Sequence, residues 1–241
     1  ELLDERADAV LPPDVPLPVL PEPLLRFNRR SADPDVRLAE LAAILDRDAS
    51  LVCELLRTVN ASAVGLRQKA ASTTQALSLL GVRRVRLLLL SAVVERQAAA
   101  MKSLPLYAKL FARANLERAT FARVAAERLG ADGDLAFAAG LMQDFLLPVL
   151  MDELSPVYEG FAATLATADA AGRSCDMAEL ERGSLGWDHA EAAARVMHGW
   201  GFPDDLVCCV RLHHDAERVA GDDRVNRTAA AAASLAALLP D

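Results

Sequence analysis

The chain has 241 residues, of which 53% are hydrophobic and only 5% aromatic, and its formal net charge is −8. This length admits one large domain or two small ones, with a core that Leu, Ala and Val must fill, as in closely packed helices. Lys and Arg are dispersed on an acidic chain, which makes a poor general nucleic-acid binder, and no apolar run approaches the ~18 residues of a membrane span.

The start, Glu1-Leu2-Leu3-Asp4-Glu5, is acidic, unlike a signal peptide, and its lack of Met suggests an excised segment. Cys53, Cys175, Cys208 and Cys209 show no Cys-x-x-Cys spacing. They are expected as reduced thiols in a cytoplasmic protein, three of them filling the core.

Residues 1–10 read as a short helix or frayed lead-in. Six prolines between 11 and 23 exclude a helix interior there, because proline has no N–H to donate. That segment should run extended, with Val15, Leu17, Val19 and Leu20 able to anchor it. A short helix begins at Leu24, and Asp33-Pro34 marks a capped start for the next, through Leu38, Leu41 and Leu45. Asp48 can cap a third helix that carries Leu51, Leu55 and Val59. The stretch Asn60-Ala61-Ser62-Ala63-Val64-Gly65 interrupts the pattern after it, with Gly65 permitting a backbone angle that other residues resist. Ser72-x-x-Gln75 is a capping-box signature, Gly81 breaks the helix that it opens, and a very apolar helix follows over 82–94.

Residues 97–106 read as a connection, followed by a long amphipathic helix over 107–129. The next segment holds Gly140-Leu141-Met142-Gln143-Asp144-Phe145, expected as the middle of a buried helix, with Pro148 bending or ending it. Further helices are expected over 156–170 and 176–183, then from about Ser184–His189 to Trp200. Another runs from a cap at Asp204 to His213-His214, and an Ala/Leu helix covers 225–239. No strand pattern and no internal repeat occurs.

In order along the chain stand Leu11-Pro12-Pro13, Asp33-Pro34-Asp35, Leu41 to Leu45, Asp46-Arg47-Asp48, Leu55 to Asn60, and Gln75 to Gly81. Together with Gly140–Asp144 they resemble the HDOD family, the HD-related output domains of bacterial signalling proteins, within the HD superfamily of metal-dependent phosphohydrolases. The resemblance covers roughly 11–217. It implies an all-α fold in two packed helical lobes, 11–97 and an HD-superfamily-like bundle at 105–217, with a C-terminal helix in 218–241 packed on or near the second.

A metal-dependent hydrolase of this type needs several His and Asp ligands converging from different helices, with a coordination position open for water. By the resemblance, Asp144 matches the Asp of the His-Asp dyad. His189 matches a recurrent family His, and His213-His214 match the terminal pair. The dyad His is replaced by Gln143, whose amide is no useful ligand. The upstream His, expected near Glu117-Arg118, is also missing, and Leu146-Leu147-Pro148 stand where Gly-Lys is usual. The bland reading makes Asp144, His189, His213 and His214 a buried hydrogen-bonded fastener, because a buried polar group must be paired. The sharper readings are a pocket for an anion, nucleotide or single metal, or residual catalysis. His198 is expected at the surface. Arg83-Arg84-Val85-Arg86 reads as a solvated face, with a phosphate or acidic partner as the sharper option. Trp187 and Trp200 read as core packing.

The resemblance implies a non-catalytic, cytoplasmic signal-transduction output module acting through protein–protein interaction or ligand sensing. No catalytic residue, bound metal or cofactor is expected. The expected partner is an unidentified signalling protein, with a nucleotide as an optional ligand and neither membrane nor nucleic acid. The alternative is a metal-dependent phosphohydrolase or phosphodiesterase acting on a nucleotide or cyclic nucleotide.

Overall fold

The computed structural model describes residues 15–239 apart from 16, 18, 19, 63–68, 100–104, 173 and 174. The expected helix in 1–10 and residues 63–65 of the expected break lie outside the described residues; the break does not begin at Asn60, because helix continues through Ser62. Among these residues there are fourteen helices and no strand.

An N-terminal group of five helices comprises α1 (Glu22–Arg30), α2 (Leu38–Leu45), α3 (Ala49–Ser62), α4 (Thr73–Leu80) and α5 (Val82–Ala99). Ahead of it, Val15 and Leu20 are buried and anchor the proline-rich segment, whereas Leu17 is exposed. Asp33 does not cap α2, which begins only at Leu38. Its carboxylate instead accepts the Asp35 N–H at 2.9 Å and pairs with Arg30, closing a turn. Asp48 does cap α3, accepting the N–H groups of Ser50 and Leu51 at 2.9 and 3.2 Å. Ser72 accepts the Gln75 N–H at 3.2 Å, while Gln75 reaches back to the Ala71 N–H at 2.8 Å. Gly81, at φ +80°, makes the sharp joint between α4 and α5 that a side chain would resist.

The remaining group comprises α6 (Pro105–Leu129), α7 (Gly133–Met142), α8 (Leu147–Glu153), α9 (Ser155–Ala170), α10 (Met177–Leu185), α11 (His189–Gly199) and α12 (Asp204–Arg211). The short α13 (Ala216–Gly221) and α14 (Ala229–Ala236) complete it. α7 packs antiparallel along α6 at its centre, and α14, α12 and α5 close around that pair. The Ala-rich α14 is a core element here, with Ala229–Ala233 and Ala236 buried against α6, α7 and α12. Residues 133–153 have a mean hydropathy of 1.4 in their most apolar window, which is 78% buried inside the protein. Their apolarity serves the core.

Besides the packing of α5 on α7 and α6, polar contacts that the sequence does not announce join the two groups of helices. Asn28 on α1, only 1% exposed, donates from its amide to the carbonyls of Trp200 and Gly201 after α11. Arg83 pairs with Asp132 and Asp205, and Arg84 with Asp134. These two arginines lie on the solvated face that the sequence suggested, and from it they join α5 to the starts of α7 and α12. Of the four free cysteines only Cys209 is buried, so the expectation of three core cysteines is corrected.

Candidate functional site

The site begins with a close helix approach. A Cβ added to Gly140 would stand 2.6 Å from the Ala119 Cα and 2.8 Å from its nitrogen, inside any permitted contact. Glycine at 140 and alanines at 119, 122 and 126 let the α6 and α7 backbones nearly touch. That contact brings Arg118 alongside the end of α7.

Gln143 and Asp144 do not lie in the middle of a helix, as the sequence suggested. α7 ends at Met142, and a tight turn joins it to α8, with Phe145 N–H bonded to Met142 O and Leu147 N–H to Asp144 O. Pro148 supplies the reason: it cannot donate to the Asp144 carbonyl, and its ring would collide with that carbonyl in a continuous helix. The turn points Asp144 into the protein, where it is 6% exposed.

His189 opens α11. Asp188 caps that helix, accepting the Glu191 N–H at 2.8 Å and pairing with Arg182 at 2.5 Å. His213 and His214 lie in the turn beyond α12, which stops at Arg211 and so falls short of them. Asp204 does not serve as the cap of α12; the capping position is Pro203.

These elements bring all four expected residues together. One ligand atom from each of Asp144, His189, His213 and His214 lies within 4.8 Å of the others. The Asp144 Oδ1 stands 3.2 Å from the Nε2 atoms of both His189 and His213. The His189 and His214 Nε2 atoms are 2.9 Å apart. His213 is fully buried and directs Nδ1 at the Val210 carbonyl, 2.7 Å away. A proton on Nδ1 for that bond leaves Nε2 a bare lone pair in the neutral ring. That Nε2 is close to Asp144 but not aligned for a hydrogen bond, so it is left without a hydrogen-bond partner. His214 is the most open member, with its Nδ1 3.5 Å from Asp176. His198 is exposed and apart from the cluster.

Two further groups complete the centre without any motif to reveal them. Glu181, fully buried on α10, accepts both the backbone N–H of His189 at 2.8 Å and its Nδ1–H at 2.6 Å. Tyr158 on α9 donates its hydroxyl to the other Glu181 oxygen at 2.6 Å. On the opposite side, the second oxygen of Asp144 accepts from the Gln143 amide at 3.1 Å and from the Arg118 guanidinium at 3.3 Å. Arg118 and Gln143 are 8% and 1% exposed. In sequence Arg118 was visible only as the place where a histidine was missing. Glu181 carries no signal beyond being an acid eight residues before His189.

Electrostatics follow from this pairing. Burial opposes the charged form of His189, but hydrogen bonds to Asp144 and Glu181 outweigh it and raise its pKa to about 10. Burial also works against ionised Asp144, yet the hydrogen bond and charge of His189 help to hold it well below the usual carboxylate range. Burial, then the neighbouring His213 and His189, keep His214 neutral. Two buried acids thus face two cations, His189 and Arg118.

The HD superfamily implies a metal here, and the donor set can be tested against one. Three imidazole nitrogens and one carboxylate oxygen converge, His213 Nε2 lacks a hydrogen-bond donor, and Glu181 holds the far nitrogen of His189 as outer partners of metal-bound histidines do. This side fits one ion, held by Asp144, His189, His213 and His214. The Asp144 Oδ2 side does not fit a second, because it meets only N–H donors.

The HDOD domain family profile matches residues 17–216. An uncharacterized protein of Treponema pallidum is 27% identical over 204 residues, covering 83% of this chain; the chain spans only 38% of that protein. A structure of an HDOD domain protein of unknown function from Geobacter sulfurreducens superposes with a TM-score of 0.68 at 22% identity, covering 98% of this chain and 75% of the other. A proposed phosphohydrolase from Shewanella amazonensis gives 0.70 at 23%, with 92% and 76% covered. Both likenesses show an HD-type helical fold, and the profile match over most of the length shows that the chain belongs to the HDOD domain family.

Proposed function

We propose that this chain is a non-hydrolytic signal-transduction module of the HDOD family, acting in the cytoplasm by binding a signalling protein, with the His/Asp centre as its structural fastener. The observation that carries this reading is the state of Asp144. One oxygen faces the histidines and the other is taken up by Arg118 and Gln143 in a buried centre. A bound ion would polarise water, the chemistry on which hydrolysis by this superfamily relies. Here, however, Arg118 and Gln143 occupy one oxygen of Asp144, and Gln143, His189 and His213 are buried, which supports a fastening role over a hydrolytic one.

The chain's own residues do the fastening. Glu181 fixes the first turn of α11, His213 fixes the end of α12, and Asp144 ties His189 to the α7–α8 turn. Family membership supports a signalling role. So does a fold shared with a proposed signal transduction protein from Marinobacter aquaeolei, at a TM-score of 0.65 and 24% identity, of which this chain covers 48%.

The test is turnover of bis(p-nitrophenyl) phosphate and of cyclic dinucleotides after loading with Mn, Fe or Zn. The expected rate equals that of His213→Ala and of buffer. Metal-dependent turnover that His213→Ala abolishes would overturn the reading.

A further inference from the structure

Resting on the reading of a non-hydrolytic centre, we infer that Arg118 is a built-in cation that takes the place of a metal ion on the outer oxygen of Asp144 and so limits the ion capacity of the centre. Four observations converge on it. The guanidinium is 8% exposed and 3.3 Å from Asp144 Oδ2. The Gln143 amide approaches the same oxygen from a second direction at 3.1 Å, and both groups are donors that no cation can share. His189 and His213 stand against the other oxygen of the carboxylate, with His214 beside His189. The close approach of Gly140 to the Ala119 and Arg118 backbone brings the root of the Arg118 side chain alongside the end of α7, next to Asp144.

The charge balance has a consequence for the histidine side. Asp144 is already neutralised from behind by a permanent cation, because arginine does not lose its proton in proteins. A divalent ion bound by Asp144, His189, His213 and His214 would meet that charge across a single carboxylate in a poorly screened interior. Arg118 therefore weakens ion uptake on the histidine side and forbids it on its own side. Histidine at 118 and 143 would remove the guanidinium, end short of where it reaches, and offer lone pairs in place of N–H donors.

The experiment measures bound Mn and Zn per chain by elemental analysis after equilibration and gel filtration. It also measures Mn affinity by titration, in wild type, Arg118→Gln, Arg118→Lys and the double variant Arg118→His with Gln143→His. Circular dichroism confirms folding of each. Arg118→Gln is expected to bind Mn at least about tenfold more tightly than wild type, and Arg118→Lys within about twofold of wild type. The double variant should hold one more ion per chain than wild type. Unchanged affinity in folded Arg118→Gln, or equal gains in Gln and Lys variants, would overturn the inference. Should the double variant fail to fold, the Gln and Lys pair decides alone. These readouts are binding values, so hydrolysis by wild type would sink the proposed function and leave the ion measurement standing.

Discussion

One oxygen of Glu181 holds both the backbone N–H and the ring Nδ1 of His189, at 2.8 and 2.6 Å. The first turn of a helix has backbone N–H groups with no internal partner, and here a fully buried carboxyl group from another helix takes one of them. The same contact fixes which ring nitrogen of His189 turns toward Asp144. Glu181→Ala therefore removes a helix tie and a charge partner together. It is expected to destabilise the protein by about 3 kcal/mol, the scale for breaking a buried pair, as measured by urea unfolding. A loss under about 1 kcal/mol would show that the contact is not fastening α11.

Tyr158 gives the centre a pH limit. Burial first, then the adjacent Glu181, raise its pKa well above the ordinary value of 10. The neutral phenol is thus favoured by folding. Its contribution is fully present below about pH 10 and is lost as pH rises above that. The chain has two tyrosines. Ultraviolet titration should show that at least one resists ionisation until the protein unfolds. Tyr158→Phe, which leaves a buried acceptor unpaired, should cost about 1–3 kcal/mol and remove the resistant step.

Gly140→Ala tests the helix contact that sets the site. The added methyl meets backbone atoms of Ala119 at 2.6 and 2.8 Å, and backbone cannot rotate aside. A cost of about 1–3 kcal/mol or more is expected from overpacking. Gly160→Ala, where nothing lies within 4 Å of the new Cβ, should be neutral or mildly stabilising. Equal melting shifts for the two variants would contradict the packing argument.

The polar contacts that join the N-terminal helices to the rest are of two kinds, of unequal strength. Asn28 is buried and serves two backbone carbonyls, so Asn28→Ala should cost about 1–3 kcal/mol in any salt. Arg83 is about half exposed, so Arg83→Ala should cost less than about 1 kcal/mol, with the difference fading at 1 M NaCl. Thermal unfolding at low and high salt separates the two.

Much of this protein was legible in the residues alone. Ser72 with Gln75, Asp48, Gly81 and the apolar periodicities mark caps, joints and faces by chemistry that acts within a few residues. The all-helical class therefore followed from sequence, as did the family resemblance and the shortlist of Asp144, His189, His213 and His214 as potential site residues. Errors arose where a local signal had two outlets. Asp33 could cap a helix or close a turn, and it does the second. The apolar run through Gln143 looked continuous, but Pro148 ends the pattern one turn earlier than the hydrophobicity does.

The sequence by itself determined the helices and the list of polar residues that must be paired if buried, because propensity, capping and hydrophobic period are short-range. Only the tertiary structure decided which partners they take. Arg118, Asp144, Tyr158, Glu181, His189 and His213 come from separate segments, and no spacing rule links them. A backbone approach that only Gly140 permits and a turn that Pro148 enforces bring a guanidinium to one side of Asp144 and histidines to the other. Burial then makes each of those pairings costly to break, because unpaired charge in a poorly screened interior has no water to turn to.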